Sequence, residues 1–292
     1  MRIFVTGAAG QLGIDVMAEA QRRGWEATGA DMADFDITDR AATLAALESA
    51  GPDVVIHCAA YTAVDRAEAE PERARAVNED GTRHIAGYCA KKGIWLIYIS
   101  TDYVFGGSGT RQSDGAPSPW EAEDAPAPLN VYGATKLAGE RAIQALCGKH
   151  MIVRTSWVFG SHGNNFVKTM LRLGREREEV RVVDDQHGAP TYTVDLARLL
   201  CDMAARPAGG IYHAANAGEC TWAGFAAKIF TLAGLPCRVM PIASEAYPQA
   251  ARRPRNSRLS PRALTEAGYT PLRPWEESLT DMLAKDGYSF PL

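Results

Sequence analysis

Several features are scarce in this 292-residue chain. It has six cysteines, Cys58, Cys89, Cys147, Cys201, Cys220 and Cys237, and no two form a CxxC pair. Zinc sites and disulfide frameworks need closer or more regular spacing, so the thiols are expected to be reduced and mostly buried, as in the cytoplasm. No apolar run approaches the roughly 20 residues that cross a bilayer. Arg2-Ile3-Phe4-Val5 is too short for the apolar region of a secretory signal before the glycines begin. The expectation is a cytoplasmic protein without a membrane partner. Excess positive charge is missing too: 31 Lys and Arg face 35 Asp and Glu, a formal net charge of −4. That disfavours a nucleic-acid partner but leaves room for a local basic pocket.

The remaining composition is ordinary for a globular protein, with 46% hydrophobic and 23% charged residues. The length suits two domains or one large α/β domain. Short apolar runs alternate with helical stretches through the first half. Ile3-Phe4-Val5 reads as a strand, and 11–23 as a helix with Leu12, Val16 and Ala20 on one side. Thr28-Gly29-Ala30 is a weak second strand, 41–50 a helix and 54–59 a near-continuous apolar strand. A long helical stretch over 72–92, a strand over 94–99, a helix over 131–148 and a strand at 151–153 follow. This alternation predicts parallel strands, joined by right-handed crossovers and covered on both faces. Gly210 to Ala214 is a candidate strand returning to the sheet. Residues 108–128, 160–165 and 184–191 read as loops, and prolines gather between Pro236 and Pro274.

Between the first strand and first helix stands Gly7-Ala8-Ala9-Gly10-Gln11-Leu12-Gly13. In such a GxxGxxG turn, Gly7 permits the sharp bend, Gly10 lets a pyrophosphate approach the backbone, and Gly13 lets the helix pack on the sheet. The helix N-terminus offers N–H groups and partial positive charge to the anion. Asp31 lies 18 residues beyond Gly13, where a carboxylate accepts hydrogen bonds from ribose hydroxyls. It favours NADH over NADPH, although both stay open. The predicted fold is α/β: a Rossmann-type doubly wound parallel sheet with a smaller C-terminal α/β substrate-binding domain. Residues 1–165 plus about 189–217 are assigned to the dinucleotide-binding domain. The substrate-binding domain takes about 166–188 and 218–292.

Tyr132 and Lys136 stand at i and i+4 on a predicted helix and share a face. An ammonium near a phenol favours the phenolate and lowers its pKa from about 10. Thr101 follows the fourth strand, at the carboxyl end where ligands of parallel sheets bind. Its hydroxyl is a candidate to align a substrate carbonyl with Tyr132; Ser100 competes for that role.

The glycine turn, the hydroxyl after the fourth strand and the YxxxK helix together resemble an extended short-chain dehydrogenase/reductase. Further blocks resemble the dTDP-4-dehydrorhamnose reductases within that superfamily. They include Gly10-Gln11-Leu12-Gly13, Ala59 to Asp65, Ser100 to Phe105, Pro128 to Gly133, Arg154 to Phe159, Gly163 to Phe166 and Asp185 to Thr191. These run in order through nearly the whole chain. The resemblance implies reduction of the C4 keto group of a dTDP-linked 6-deoxy sugar by NADPH or NADH. It implies Tyr132 as general acid, Lys136 as its electrostatic partner and Thr101 as the carbonyl-positioning hydroxyl. Asp102 and Trp157 are implied at the sugar. Gly10, Gln11, Leu12, Asp31, Ala59, Ala60 and Tyr61 are implied at the cofactor, with Asp36 and Ile37 near the adenine.

Arg253, in the basic cluster Arg252-Arg253-Pro254-Arg255, is a candidate for the substrate diphosphate, because guanidinium matches phosphate geometry. His57 reads as a satisfied core residue, and His187 as a loop residue bonding backbone. The resemblance also raises Mg2+ at a dimer contact, with Asp15 and Asp195 near such positions. The last residues, Gly287 to Leu292, carry no acid, so Mg2+ is not supported, and monomer and homodimer both stay open. Two other functions remain as alternatives. One is a nucleotide-sugar epimerase or dehydratase; the other is a non-catalytic subunit like the regulatory subunit of methionine adenosyltransferase.

Overall fold

The computed structural model describes residues 1–107 and 118–288. Part of the loop expected over 108–128 therefore lies outside the described residues. Five parallel strands come from the first 155 residues: β1 (Arg2–Thr6), β2 (Glu26–Ala30), β3 (Val54–His57), β4 (Trp95–Thr101) and β5 (His150–Thr155). A sixth, Gly210–His213, pairs in parallel with β5, so the late segment does rejoin the sheet. The spatial order is β2, β1, β3, β4, β5 and then Gly210–His213. The chain moves outward from β1 to β2 and then restarts on the other side at β3. That reversal opens a crevice between β1 and β3 at the carboxyl ends of the strands.

The apolar strands are covered on both faces because neighbouring side chains point opposite ways. Ile3, Val5, Val54, Ile56, Met151 and Val153 join one core with helix α1 (Gln11–Arg22) and the helix Thr193–Ala205. Phe4, Val55, Leu96, Tyr98 and Ile152 join the opposite core with the helices Arg40–Ala50, Thr82–Lys92 and Val131–Leu146.

Two elements differ from the sequence expectation. The third strand ends at His57, since Cys58 and Ala59 turn away against Gly7, whose added Cβ would lie 2.8 Å from the Ala59 nitrogen. The stretch expected to be one helix over 72–92 is three: α-helical Pro71–Arg75, a π-helical turn Ala76–Gly81, and α-helical Thr82–Lys92.

A second, smaller core lies beyond the sheet. The helices Phe166–Glu176, Trp222–Leu232 and Trp275–Lys285 pack around the parallel pair Glu179–Val183 and Arg238–Ile242. Leu264, Tyr269 and Leu272, late in the chain, pack instead into the first core. All six cysteines are unpaired. Among the described residues no helix is long and apolar enough to cross a membrane.

Candidate active site

A cavity of about 730 Å³ opens at the carboxyl ends of the strands, over the β1–β3 crevice. Gly7 forms its floor with φ +66°, a conformation that L side chains rarely adopt. Gly10 caps α1 without any side-chain bond, and the first turn of that helix carries no acid. The helix therefore presents unshielded amides to the cavity. A Cβ on Gly13 would overlap the Gly7 carbonyl oxygen, so the helix can lie this close only with glycine there. This backbone cradle fits a pyrophosphate.

Asp31 stands at the end of β2, with Oδ2 accepting from the Ala9 amide at 3.0 Å. Its carboxylate is thus tied to the glycine turn at the cavity wall. Asp36 and Ile37 also line the cavity. Hydrogen bonds from the backbone and hydroxyl of Thr38 hold the Asp36 carboxyl below its ordinary range. Gln11, Leu12, Ala59 and Ala60 line the same wall. Tyr61 does not: its phenol donates to Glu70 at 2.9 Å, and its amide donates to Asn78 at 2.8 Å.

Tyr132, Lys136 and Thr101 meet at the sheet end of the cavity. Asn130 caps the helix that carries the first two, accepting from the Gly133 amide at 2.8 Å. Gly133 lets that helix start against the Tyr103 carbonyl, which a side chain would overlap. Ser100 and Thr101 separate cleanly. Ser100 donates to Glu140 at 2.5 Å, in a buried cluster where Glu140 also holds Arg154 bidentately. Thr101 instead lines the cavity, donates to Asp102 Oδ1 at 3.0 Å, and lies near enough to the Tyr132 phenol to favour its ionised form.

The charge relation between Tyr132 and Lys136 differs from the sequence expectation. Burial pushes the Tyr132 phenol above its usual range, and only the Thr101 hydroxyl pulls the other way. Lys136 donates to the Ile99 carbonyl at 2.7 Å and sits 4.0 Å from the centre of the Tyr98 ring. Its ammonium is thus spent on the sheet rather than on the phenol. Burial brings Lys136 down to about 7, against the upward pull of Glu140.

Asp102 and Trp157 line the cavity as well. Trp157 has φ +48°, the one positive value among described residues other than glycine. Such strain costs about 1–3 kcal/mol and gathers at ligand sites. Gly188 makes room for it, since a Cβ there would lie 2.6 Å from the indole. Trp222 stacks on Trp157 with ring centres 3.7 Å apart and also lines the cavity. Sequence reasoning missed Trp222, which stands 65 positions after its partner and carries only a generic helix-start signal, Thr221 as N-cap.

Arg253 does not line the cavity. Its fork holds both oxygens of Asp65 at 2.6 Å. It stands beside Tyr103, which does line the cavity. His57 is satisfied by Thr6 at 2.7 Å and Thr82 at 3.1 Å. The backbone of His187 bonds Arg255 and Ser257. The Asp195 carboxylate is taken up by Asn216, Arg273 and Ser278.

A family model described as the RmlD substrate binding domain matches residues 1–287. The dTDP-4-dehydrorhamnose reductase of Streptomyces griseus is 46% identical over 287 residues, covering 96% of this chain and 92% of its own. The dTDP-4-keto-6-deoxy-D-glucose reductase of Streptomyces niveus is 41% identical over 281 residues, covering 96% of this chain and 95% of its own. A crystal structure of dTDP-4-dehydrorhamnose reductase from Bacillus anthracis, in complex with NADP, superposes with a TM-score of 0.92 at 40% identity. That match covers 97% of this chain and 99% of the other. Matches of this length and identity, on a chain with this cavity, settle the family: the chain belongs to the dTDP-4-dehydrorhamnose reductases.

Proposed function

We propose that this chain reduces the C4 keto group of dTDP-4-dehydro-L-rhamnose to give dTDP-L-rhamnose, using NADPH or NADH. One observation carries the reading. The glycine cradle and the Thr101–Tyr132 pair line a single cavity, so a dinucleotide and a ketone can lie end to end. The NADP complex of the Bacillus anthracis relative supports NADPH as one cofactor. Asp31, tied to the Ala9 amide, faces the ribose end and supports NADH as the other.

Gly7, Gly10, Gln11, Leu12 and Gly13 would hold the pyrophosphate, with Asp31, Asp36, Ile37, Ala59 and Ala60 around the adenosine. Tyr61 supports that wall from behind. Reduced nicotinamide, when bound there, supplies the hydride for C4. Thr101 positions the carbonyl oxygen, and Tyr132 donates a proton to the alkoxide that develops. The raised pKa of Tyr132 keeps it protonated and ready before the step. Lys136 turns from the Ile99 carbonyl toward the ribose hydroxyls and the phenol. Trp157 and Trp222 offer an aromatic wall to the sugar, Asp102 a carboxylate, and Arg253 a guanidinium near Tyr103 for the diphosphate.

Acid catalysis of this kind contributes about 10²–10⁴-fold, and holding both partners in place adds to it. The test is oxidation of NADH and NADPH with the dTDP-4-keto sugar made in situ. Tyr132→Phe should keep cofactor binding and lose about 10²–10⁴-fold in kcat; near-normal turnover would remove Tyr132 from the role. A second reading is reduction of dTDP-4-keto-6-deoxy-D-glucose, supported by the name of the Streptomyces niveus relative. Omitting the 3,5-epimerisation from the substrate preparation separates the two.

Monomer and homodimer are equally compatible with this reading, because every residue named comes from one chain. We place the protein in the cytoplasm, where six unpaired thiols persist.

A further inference from the structure

We propose that Trp222 is a specificity-determining residue: it clamps Trp157 so that one configuration of the keto sugar fits between the aromatic wall and the Thr101–Tyr132 end of the cavity. The inference rests on the reductase reading and deepens it. The two sugars weighed there share their nucleotide and their C4 ketone. They differ in configuration at C3 and C5, so the C5 methyl group stands on opposite sides of the ring. A wall fixed in position can tell them apart.

Trp157 has no free face. Trp222 covers one, with ring centres 3.7 Å apart and planes 14° from parallel. A Cβ on Gly188 would lie 2.6, 2.8 and 3.0 Å from Cε2, Cζ2 and Nε1 of the Trp157 indole. Such similar distances to three adjacent ring atoms place Gly188 over the ring rather than beside its edge. Trp222, at 3.7 Å, leaves no room for Gly188 on its own side. The indole is therefore sandwiched between a backbone and a second indole, and it meets the cavity edge-on.

The two jaws of this clamp are joined to each other. Gly188 pairs with Cys220, and Trp222 opens its helix two residues later. Between them the Thr221 hydroxyl donates to Asp184 at 2.5 Å and accepts from the Gly224 amide at 3.0 Å. Phe166 backs Trp222 at 4.6 Å and stacks on the buried Phe225 at 5.5 Å, so the Trp222 jaw rests on the second core. Trp157 itself follows β5 of the main sheet and holds a φ of +48° that its residue type disfavours. The clamp thus keeps in place a conformation the local chain does not favour.

A stacked pair that served packing alone would be closed to the cavity, whereas both of these rings line it. An indole gripped on both faces cannot swing aside for a misplaced methyl group. One methyl-sized mismatch is worth about 10- to 200-fold in kcat/KM.

Trp222→Leu removes one jaw, and Gly188→Ala drives the other into the indole. Cofactor oxidation is followed in two preparations of the dTDP-4-keto sugar, with and without 3,5-epimerisation. Limiting sugar makes the amount of epimerised form cancel between variant and unmodified enzyme. The unmodified enzyme should favour the epimerised preparation. Both variants should lower that preference about tenfold or more, mainly through loss on the epimerised sugar. Trp222→Phe keeps a ring in the stack and should restore most of the preference. Loss of the exciton-coupled circular dichroism of the two indoles in Trp222→Leu reports the broken stack, and unchanged NADPH affinity shows that the glycine cradle is intact. An equal loss on both preparations leaves Trp222 with a packing role only and overturns the proposal. An unaltered preference in both variants, or no preference in the unmodified enzyme, overturns it too. An unmodified enzyme that oxidises neither cofactor with either sugar overturns the reductase reading instead.

Discussion

The buried pair Glu140–Arg154 offers the sharpest test of what holds the site in place. Both side chains are essentially inaccessible, at 1% and 2%. Arg154 gives two hydrogen bonds to Glu140, at 3.0 and 2.7 Å, and Ser100 adds a third at 2.5 Å. Glu140→Gln removes the charge but little volume, and it leaves the guanidinium with the Ala122 carbonyl at 3.3 Å and the Phe105 ring at 4.9 Å. An uncompensated buried charge of this kind costs about 3–5 kcal/mol. In a chain of this size that corresponds to roughly 6–20 °C in Tm. Removing both charges should cost much less, because well-packed apolar replacements are often neutral. The assay is thermal unfolding by circular dichroism at pH 7 for Glu140→Gln, Arg154→Met and the double variant Glu140→Leu/Arg154→Met. A single-variant loss below about 1 kcal/mol, or a double-variant loss equal to the sum of the singles, refutes the argument.

Gly13→Ala drives a methyl group into the Gly7 carbonyl and should cost about 1–3 kcal/mol as overpacking. Expressed in cofactor binding, that is roughly 5- to 150-fold in Kd, read from the fluorescence of bound NADPH. Gln11→Ala removes bonds to Val158 at 3.2 Å and Asn165 at 2.8 Å, which tie α1 to the start of the second lobe. It should raise cofactor Kd and sugar KM together, whereas Gly13→Ala acts on the cofactor alone; separate titrations show the difference. Lys136 falls from an ordinary 10.5 to about 7 in the fold, so the unfolded chain binds more protons between those values. Its contribution is full above 10.5 and is lost as pH falls to about 7; urea unfolding of Lys136→Met against the unmodified chain, at pH 7 and pH 10, should show that slope disappear.

Local chemistry made much of the site legible. The glycine turn could be read because each glycine answers a separate backbone need. Gly7 has a positive φ, Gly10 leaves the helix end open, and Gly13 removes a clash with the turn itself. Alternation of apolar strands and helices likewise predicted a covered parallel sheet, down to the returning strand at Gly210–His213. The π-helical turn Ala76–Gly81 was not legible, because one inserted residue leaves no mark on an amphipathic pattern. Yet this turn holds Asn78, which clasps Tyr61 at 2.8 Å and Thr135 at 3.0 Å and so joins the cofactor wall to the catalytic helix. The choice between Ser100 and Thr101 was equally hidden. Both hydroxyls meet the helix Val131–Leu146, and only the partner each finds there, Glu140 for Ser100 and Tyr132 for Thr101, distinguishes them.

Charge shows most clearly why composition and site diverge. A chain of net charge −4 must hold a dinucleotide and a sugar nucleotide in one cavity. The obvious sequence solution was the arginine cluster near 252–255. In the fold, Arg253 faces Asp65, and Arg255 faces Asp185 and Glu245. These arginines are already neutralised, so they add little field at the glycine cradle. Positive potential there comes from the backbone: an α1 end with no side-chain cap and no acid in its first turn. Backbone amides leave no trace in a count of Lys and Arg, which is why an acidic total and a site for two diphosphates coexist.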